Sequence, residues 1–495
     1  MGTCGLLKRR DFLKKTVKAS AAAFTAITAP SILKAKTADS PPNVVFIICD
    51  QMRGDALSCL GHPNAHTPNL DKLAAEGVLF ENYFANNPVC QPSRVTLFSG
   101  LYPHQHGKLT NQSGKKIESL PGSMLGYFRD RGYRVGWVGK NHTYSEKVLK
   151  SLDFCEIRAR EPFRAYSKFV PPYWHSDTLW PAEKCYPRMN TDDAIKFISS
   201  AKRGEPFFLH ISYFDPHPPY MAPSEYTSKY CSKEMVLPPF VPPEKLSPRL
   251  AEHCQALHYD RIKDSDLTET MRYYYASIEW GVDYQVGRIL QVLKKQGLID
   301  NTIVVFTSDH GDFMGEHRMV RKGMFLYDAL LHVPMIWYAP GLIKTGTRVR
   351  NLAQGVDLFP TLVDLTGGRV RAELPGRSLK PFLQGESKKE KDFTVFASAA
   401  YSDLPPNYFD DPEPAYDPDS DVPFHSRVQK YTWKAESRTV MARTREWKLI
   451  LNETRPPELY KMANGWIEKE NVADKPAFRN IRKVLEAKIN QVWKW

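Results

Sequence analysis

The sequence predicts an α/β fold: a large mixed, mainly parallel sheet flanked by helices on both faces, followed by a small C-terminal α+β subdomain. Three observations lead there. Four short apolar runs rich in β-branched and aromatic residues each end in polar, chemically capable side chains, as strands buried on both faces do. Stretches with helical apolar spacing lie between those runs. The chain has 495 residues and is 42% apolar, enough for one large domain and a smaller one.

Taken in order, residues 1–36 stand apart. They hold eight Lys or Arg against Asp11 alone, +7 of the chain's formal +13, so the remainder carries only +6. A mildly basic remainder is compatible with an anionic substrate, but it contains no nucleic-acid module, and no nucleic-acid partner is expected. Arg9 and Arg10 are followed by Asp11, Phe12, Leu13 and Lys14, then by a short apolar stretch and small residues. This segment resembles a bacterial twin-arginine export signal. Thr25, Thr28 and Pro30 interrupt its apolar run, which falls short of the roughly 20 residues of a bilayer span. Cys4 precedes the apolar stretch and is badly placed for a lipid anchor. The expectation is export by the twin-arginine machinery to the periplasm or the medium, with no stable membrane span.

The first strand, NVVFIICDQ (43–51), ends in Asp50 and Gln51. TPNLDKLAAEGVLF (67–80) reads as a helix with Thr67 as its cap, Pro68 in its first turn and Leu70, Leu73 and Ala74 on one face. In NNPVCQPSRVTLFSG (86–100), Cys90 stands between two prolines at what reads as the mouth of a helix. That helix is expected to aim its N-terminal amides at position 90. The second strand, YRVGWVGKNH (133–142), ends in Lys140 and His142, and the third, PFFLHISYFDPHPPY (206–220), in Asp215 and His217. A helix over 272–297 carries Ile278, Val282, Val286, Ile289, Leu290 and Leu293 at helical spacing and closes at Gly297. The fourth strand, NTIVVFTSDHGD (301–312), ends in Asp309 and His310. Because parallel sheets receive ligands beyond their strands' carboxyl ends, the four polar clusters are expected to converge on one edge.

The catalytic domain is assigned to 41–390 and the subdomain to 391–495. Within the latter, 401–433 reads as a long loop of prolines, acids and aromatics, followed by two strand-like stretches and a terminal amphipathic helix. Cys49, Cys59, Cys155, Cys185, Cys231 and Cys254 could pair in an oxidising compartment, but they form neither a CxxC motif nor a zinc spacing. No bridge is assigned, and Cys90 must be free if it is to do chemistry.

Cys90, Pro92, Ser93, Arg94 and Gly100 match the signature of the sulfatases of the alkaline phosphatase superfamily: Cys, any residue, Pro, Ser, Arg and a short helix closed by Ser-Gly or Thr-Gly. The resemblance covers nearly the whole chain beyond the export segment, from NVVFIICDQ through GVDLFPTLVDLTG and LPGRSLKPFLQG to PPELYKM. Phe98 departs from it, Leu or Met being commoner there. The resemblance implies an alkaline phosphatase-like sheet and a sulfatase that hydrolyses sulfate monoesters. It implies that a formylglycine-generating or sulfatase-maturating enzyme oxidises Cys90 to Cα-formylglycine, whose hydrate attacks sulfur; the alcohol then leaves and the covalent sulfate is eliminated. It further implies one divalent cation held by Asp50, Gln51, residue 90, Asp309 and His310. The oxygen majority favours Ca2+, while His310 in place of the commoner Asn leaves Mn2+ or Mg2+ open.

By the same resemblance Arg94, Lys140 and Lys322 hold the nucleophile and the sulfate oxygens. His142 takes the proton that lets sulfate leave, and His217 with Lys322 protonates the departing alcohol. His104, His106 and His317 are read as structural or substrate-contacting. The substrate class is a sulfated carbohydrate or polysaccharide, with Tyr401, Tyr408 and Tyr416 as a stacking wall. Two other readings stay open: a phosphonate monoester hydrolase or phosphodiesterase of the same superfamily, and a non-enzymatic carbohydrate-binding relative whose cysteine is never matured.

Overall fold

The computed structural model describes residues 41–111, 115–158, 175–178, 180–202, 204–242, 245–256, 259, 262–386, 393–399, 438–462 and 465–493. The export segment, the 401–433 loop and Tyr401, Tyr408 and Tyr416 lie outside them.

The main sheet has eight strands: β1 (Asn43–Asp50), β2 (Val78–Phe80), β3 (Arg134–Gly139), β4 (Phe154–Glu156), β5 (Phe207–Pro216), β6 (Thr302–Ser308), β7 (Met335–Tyr338) and β8 (Thr347–Val349). Their spatial order is β8-β2-β7-β6-β1-β5-β3-β4, and only β7 runs against its neighbours. β1 shows why the central strands are apolar throughout. Val44, Phe46 and Ile48 enter the core on one face, while Val45, Ile47 and Cys49 enter the core on the other. A strand covered on both sides has no polar face to present.

The first face is covered by α2 (Cys90–Ser99), α3 (Met124–Asp130) and α7 (Leu358–Leu365). The second is covered by α1 (Pro68–Glu76), α4 (Tyr186–Ser199), α5 (Asp264–Ile278) and α6 (Tyr284–Lys295). Where the sequence predicts one helix over 272–297, the chain is helical from Asp264 to Lys295 but passes through a π-helical turn at Glu279–Asp283. That turn brings Gly281 against the Asp215 side chain, where a Cβ would stand 2.7 Å from it.

Two local expectations change. The helix predicted over 67–80 stops at Glu76, and Val78–Phe80 pairs with β7 instead. Gly77 makes the switch possible, because a Cβ there would lie 2.2 Å from the Trp337 carbonyl oxygen. Thr67 does occupy the cap position, but its hydroxyl does not cap the helix; it accepts from the Ser58 amide and donates to Asp71.

At the C-terminus β9 (Val395–Ala399), β10 (Thr439–Arg443), β11 (Trp447–Asn452) and β12 (Glu458–Lys461) form an antiparallel sheet in that order. One face packs on Leu485 and Ile489 of α8 (Arg479–Val492). The other sends Val395, Ala397, Met441, Ile450 and Tyr460 into the main core. No helix among the described residues is long and apolar enough to cross a membrane. The seven described cysteines are free thiols.

Candidate active site

Four neighbouring parallel strands, β6, β1, β5 and β3, bring their carboxyl ends to one edge. β1 delivers Asp50, β6 is followed by Asp309 and His310, β3 by Lys140 and His142, and β5 carries Asp215 and is followed by His217. At the end of β3 the chain turns through Gly139, whose φ of 90° and close approach to the Ser212 carbonyl, 2.1 Å from an added Cβ, admit no side chain. Lys140 thereby reaches Asp50 Oδ2 with its ammonium, above the Phe214 ring at 4.9 Å.

α2 supplies the remaining parts. Cys90 is its first residue, rather than a side chain in front of its amides as the sequence reading expects, and the Gln91 amide donates to Asn111 Oδ1. The Cys90 sulfur, 1% exposed as a residue, lies 2.9 Å from Lys322 Nζ, 3.1 Å from His310 Nε2 and 3.6 Å from Asp50 Oδ1. One turn further on, the buried Arg94 guanidinium donates to Asp309 Oδ2 (2.6 Å), Ser212 Oγ (2.7 Å) and Asp50 Oδ2 (3.1 Å). A planar fork holding two carboxylates in fixed register is a task for Arg rather than Lys.

Electrostatics follow from this crowding. Burial and then Asp50 press the Cys90 thiol upward, but Lys140, Lys322 and His310 outweigh them and bring it down to about 7. Burial also opposes ionisation of Asp50, yet Lys140, His217, Lys322 and Arg94 together hold its carboxyl well below the usual carboxylate range. Burial, followed by Lys140 and Arg94, pulls His142 well below the ordinary imidazole value. Its Nδ1 is buried and has no hydrogen-bond partner, so a neutral ring with an open nitrogen stands beside the cations. His217 anchors Nδ1 on the Pro218 carbonyl at 2.7 Å and packs on Phe214 at 4.7 Å between ring centroids.

The arrangement fits a divalent cation. One ligand atom from each of Asp50, Cys90, Asp309 and His310 lies within 4.8 Å of the others. Gln51 is the telling residue. Its backbone is left-handed at φ 73°, its Nε2 is fastened to Asp312 Oδ2 at 2.6 Å, and its buried Oε1 has no partner. A carbonyl oxygen oriented by its own amide and otherwise unused is what a hard cation takes as a ligand. His310 is set up similarly, with Nδ1 on the Gly311 carbonyl at 2.9 Å and Nε2 turned inward.

Sequence reasoning assigned no role to Ser212, which positions Arg94, to Asp312, which orients Gln51, or to Phe214, which lies under Lys140. Asp312 had a signal, closing the same run as Asp309; Ser212 sits inside β5 and had none. Of the nearby histidines, His106 bonds Thr96 Oγ1 at 3.0 Å and accepts from the Lys108 amide, and His104 stacks on Tyr102. His317 lies buried apart from these groups, next to Glu316 and Glu468.

The family model described as Sulfatase matches residues 42–368. The chain is 29% identical over 468 residues to an ulvan-active sulfatase of Formosa agariphila, covering 91% of this chain and 80% of the relative. It is 27% identical over 424 residues to an N-acetylglucosamine-6-O-sulfatase of Bacteroides thetaiotaomicron, covering 74% and 75% of the two chains. Among solved structures, the phosphonate monoester hydrolase of Agrobacterium radiobacter superposes with a TM-score of 0.72 at 25% identity, covering 91% of this chain and 95% of that one.

Proposed function

Because this chain belongs to the sulfatase family and is a sulfuric ester hydrolase, we propose that it desulfates a carbohydrate or polysaccharide with Cys90, matured to formylglycine, as its nucleophile. The observation that carries the reading is the meeting of Cys90, Asp50, Asp309 and His310 within 4.8 Å, with Lys322 2.9 Å from the sulfur. When present, the matured residue supplies the attacking oxygen, and the cation held by Asp50, Gln51, Asp309, His310 and position 90 acidifies it and polarises the sulfate. We assign that cation as Ca2+ from its oxygen-rich donors; metal analysis of active enzyme separates this from Mn2+ and Mg2+.

The chain's own groups do the rest. Arg94 fixes the two carboxylates. Lys140 and Lys322 present positive charge to the sulfate oxygens as charge develops on them. His142, neutral and with Nδ1 unpartnered, receives the proton that accompanies release of sulfate. His217, anchored on Pro218, protonates the departing alcohol together with Lys322.

Carbohydrate as the substrate class is supported by the named substrates of the two relatives and by a cavity of about 780 Å3 beside the strand ends, lined by Trp180, Phe214, Met221 and Trp280 with Asp215 and Arg158. Aromatic walls with a few charged groups suit sugar faces and hydroxyls. Tyr401, Tyr408 and Tyr416, which lie outside the described residues, are proposed from the sequence alone as sugar-stacking side chains. The twin-arginine pattern assigns the protein to the periplasm or medium, reached after a maturation enzyme has acted on Cys90. Residues 41–390 form the catalytic part and 391–495 the subdomain.

Mass spectrometry of the tryptic peptide containing Cys90, after co-expression with a maturation enzyme, is the test. Formylglycine accompanied by turnover supports the reading; cysteine alone with full turnover rejects it. The superposition on a phosphonate monoester hydrolase, together with the Asp50-Gln51 and Asp309-His310 pairs, favours one second reading. Phosphodiester or phosphonate turnover exceeding that of sulfate esters in the matured enzyme would select it.

A further inference from the structure

We propose that Glu316, His317 and Glu468 form a second, fully buried site for a divalent transition-metal cation of the Zn2+ or Mn2+ class, which fastens the C-terminal subdomain to the loop that carries Lys322. One ligand atom from each of the three residues lies within 4.8 Å of the others, and the residues are 1%, 4% and 1% exposed.

What points to a ligand is the pattern of unused atoms. Both ring nitrogens of His317, Oε2 of Glu316 and Oε2 of Glu468 are buried without a hydrogen-bond partner. Buried polar groups are nearly always paired, so four unpartnered atoms at one place point to a ligand. The other oxygen of each carboxylate is firmly held. Glu316 Oε1 accepts from Arg53 Nη2 at 2.6 Å, while Glu468 Oε1 accepts from Lys448 Nζ at 2.6 Å and from the Asp328 amide at 3.0 Å. Each Glu is thus oriented by one oxygen and offers the second, as outer hydrogen bonds orient metal ligands.

Charge leads to the same place. Around the cluster the carboxylates of Asp55, Glu316, Asp328 and Glu468 face the cations Arg53, Arg443 and Lys448. Four carboxylates thus share three cations, a surplus of acidic oxygens that a bound cation would neutralise in place of a proton. One imidazole nitrogen and two carboxylate oxygens suit Zn2+ or Mn2+ better than Ca2+, which prefers oxygen alone. Ligands about 2.1 Å from one ion stand at most about 4.2 Å apart, so the cluster needs to close by no more than roughly 0.6 Å.

Position gives the site its consequence. His317 precedes Lys322 by five residues, and the intervening backbone is left-handed at His317, Arg318 and Arg321, a conformation that surrounding contacts must impose. Arg53 links Glu316 to the segment that follows Asp50 and Gln51. A cation here would hold the Lys322 loop against the residues that follow β12.

The test is the metal content of purified, folded full-length protein, incubated with Zn2+ and freed of loose ions, measured by inductively coupled plasma mass spectrometry. We expect about one Zn2+ per chain beyond the ion at Asp50 and Asp309, retained in Asp309→Asn and lost in His317→Ala. Absence of that extra ion from the wild-type protein, or its retention in His317→Ala, overturns the proposal. Should His317→Ala fail to fold, crystals of the wild-type protein decide alone. An anomalous peak at the zinc edge between Glu316 and Glu468 supports the site. A water there, or a proton shared directly by the two carboxylates, refutes it.

Discussion

Shortening Gln51 to Asn tests its proposed role as a metal ligand separately from its part in the fold. Gln51 lies at φ 73°, where Asn is tolerated far better than Gln, a backbone gain of about 0.5–1 kcal/mol. Removing one methylene withdraws the amide by roughly 1.5 Å and breaks the 2.6 Å hydrogen bond to Asp312, a charge-assisted contact contributing about 1.5–3 kcal/mol. Asp312 is not stranded, because Tyr220 OH and the amides of Met314 and Arg321 still donate to it at 2.7, 2.8 and 2.7 Å. The loss therefore falls at the low end, and Gln51→Asn should cost about 1 kcal/mol of stability, a melting shift of no more than about 2–3 °C. Metal binding should suffer more. The carbonyl that has no partner within the protein no longer reaches the ion, and affinity should fall about 10–100-fold, or roughly 1.4–2.8 kcal/mol. Isothermal titration of chelator-treated protein with Ca2+ reads that change, and kcat at saturating Ca2+ should stay within a few-fold of wild type. An unchanged Kd in a variant that melts like the wild type would remove Gln51 from the ligand set.

Lys322→Ala removes the ammonium 2.9 Å from the Cys90 sulfur; kcat/KM on an aryl sulfate should drop on the order of 10²–10³-fold, about 3–4 kcal/mol of transition-state stabilisation, and a loss below tenfold would take Lys322 out of the reaction. Burial, with Asp50 adding to it and its own amide opposing, holds the Asp215 carboxyl up at about 7 against an ordinary 3.8. The folded state therefore keeps a proton that the unfolded chain has released, and stability falls as pH climbs from about 4 to about 7. Asp215→Asn abolishes that fall, so its stability relative to wild type in urea unfolding should rise by roughly 3 kcal/mol over the window, less than the full shift implies because Asp215 borders an open cavity; a constant difference would refute the assignment. Lys448→Met removes the ammonium shared by Asp328 and Glu468; Asp328 keeps Arg443, but Glu468 loses its buried cation, so the variant should be destabilised by roughly 3 kcal/mol, read as a lowered urea midpoint, whereas an unmoved midpoint would mean that Glu468 is otherwise compensated.

Asp50, Asp309 and Lys140 were legible because each follows an apolar run too short and too β-branched for a helix, and a parallel sheet lines up such ends by its own connectivity. α2 was legible through its closure at Gly100, whose amide donates to the Thr96 carbonyl at 2.8 Å. What stayed hidden depends on partners far away in the chain. Val78–Phe80 is a strand because β7 and β8, both more than 250 residues later, pair with its two edges, so local periodicity read it as the end of a helix. Ser212 looks like any small residue in a strand until Arg94 arrives from α2 at 2.7 Å. Backbone strain shows the point most sharply. Among the described residues, the non-glycine positions with positive φ are Gln51, Met314, His317, Arg318 and Arg321, one beside Asp50 and four in the loop leading to Lys322. No glycine or asparagine marks them, because the conformation is imposed by contacts such as Gln51 to Asp312, 261 positions away. Side chains fixed by distant partners cannot also choose their backbone, and the packed surroundings keep them in a geometry that their own sequence would not adopt.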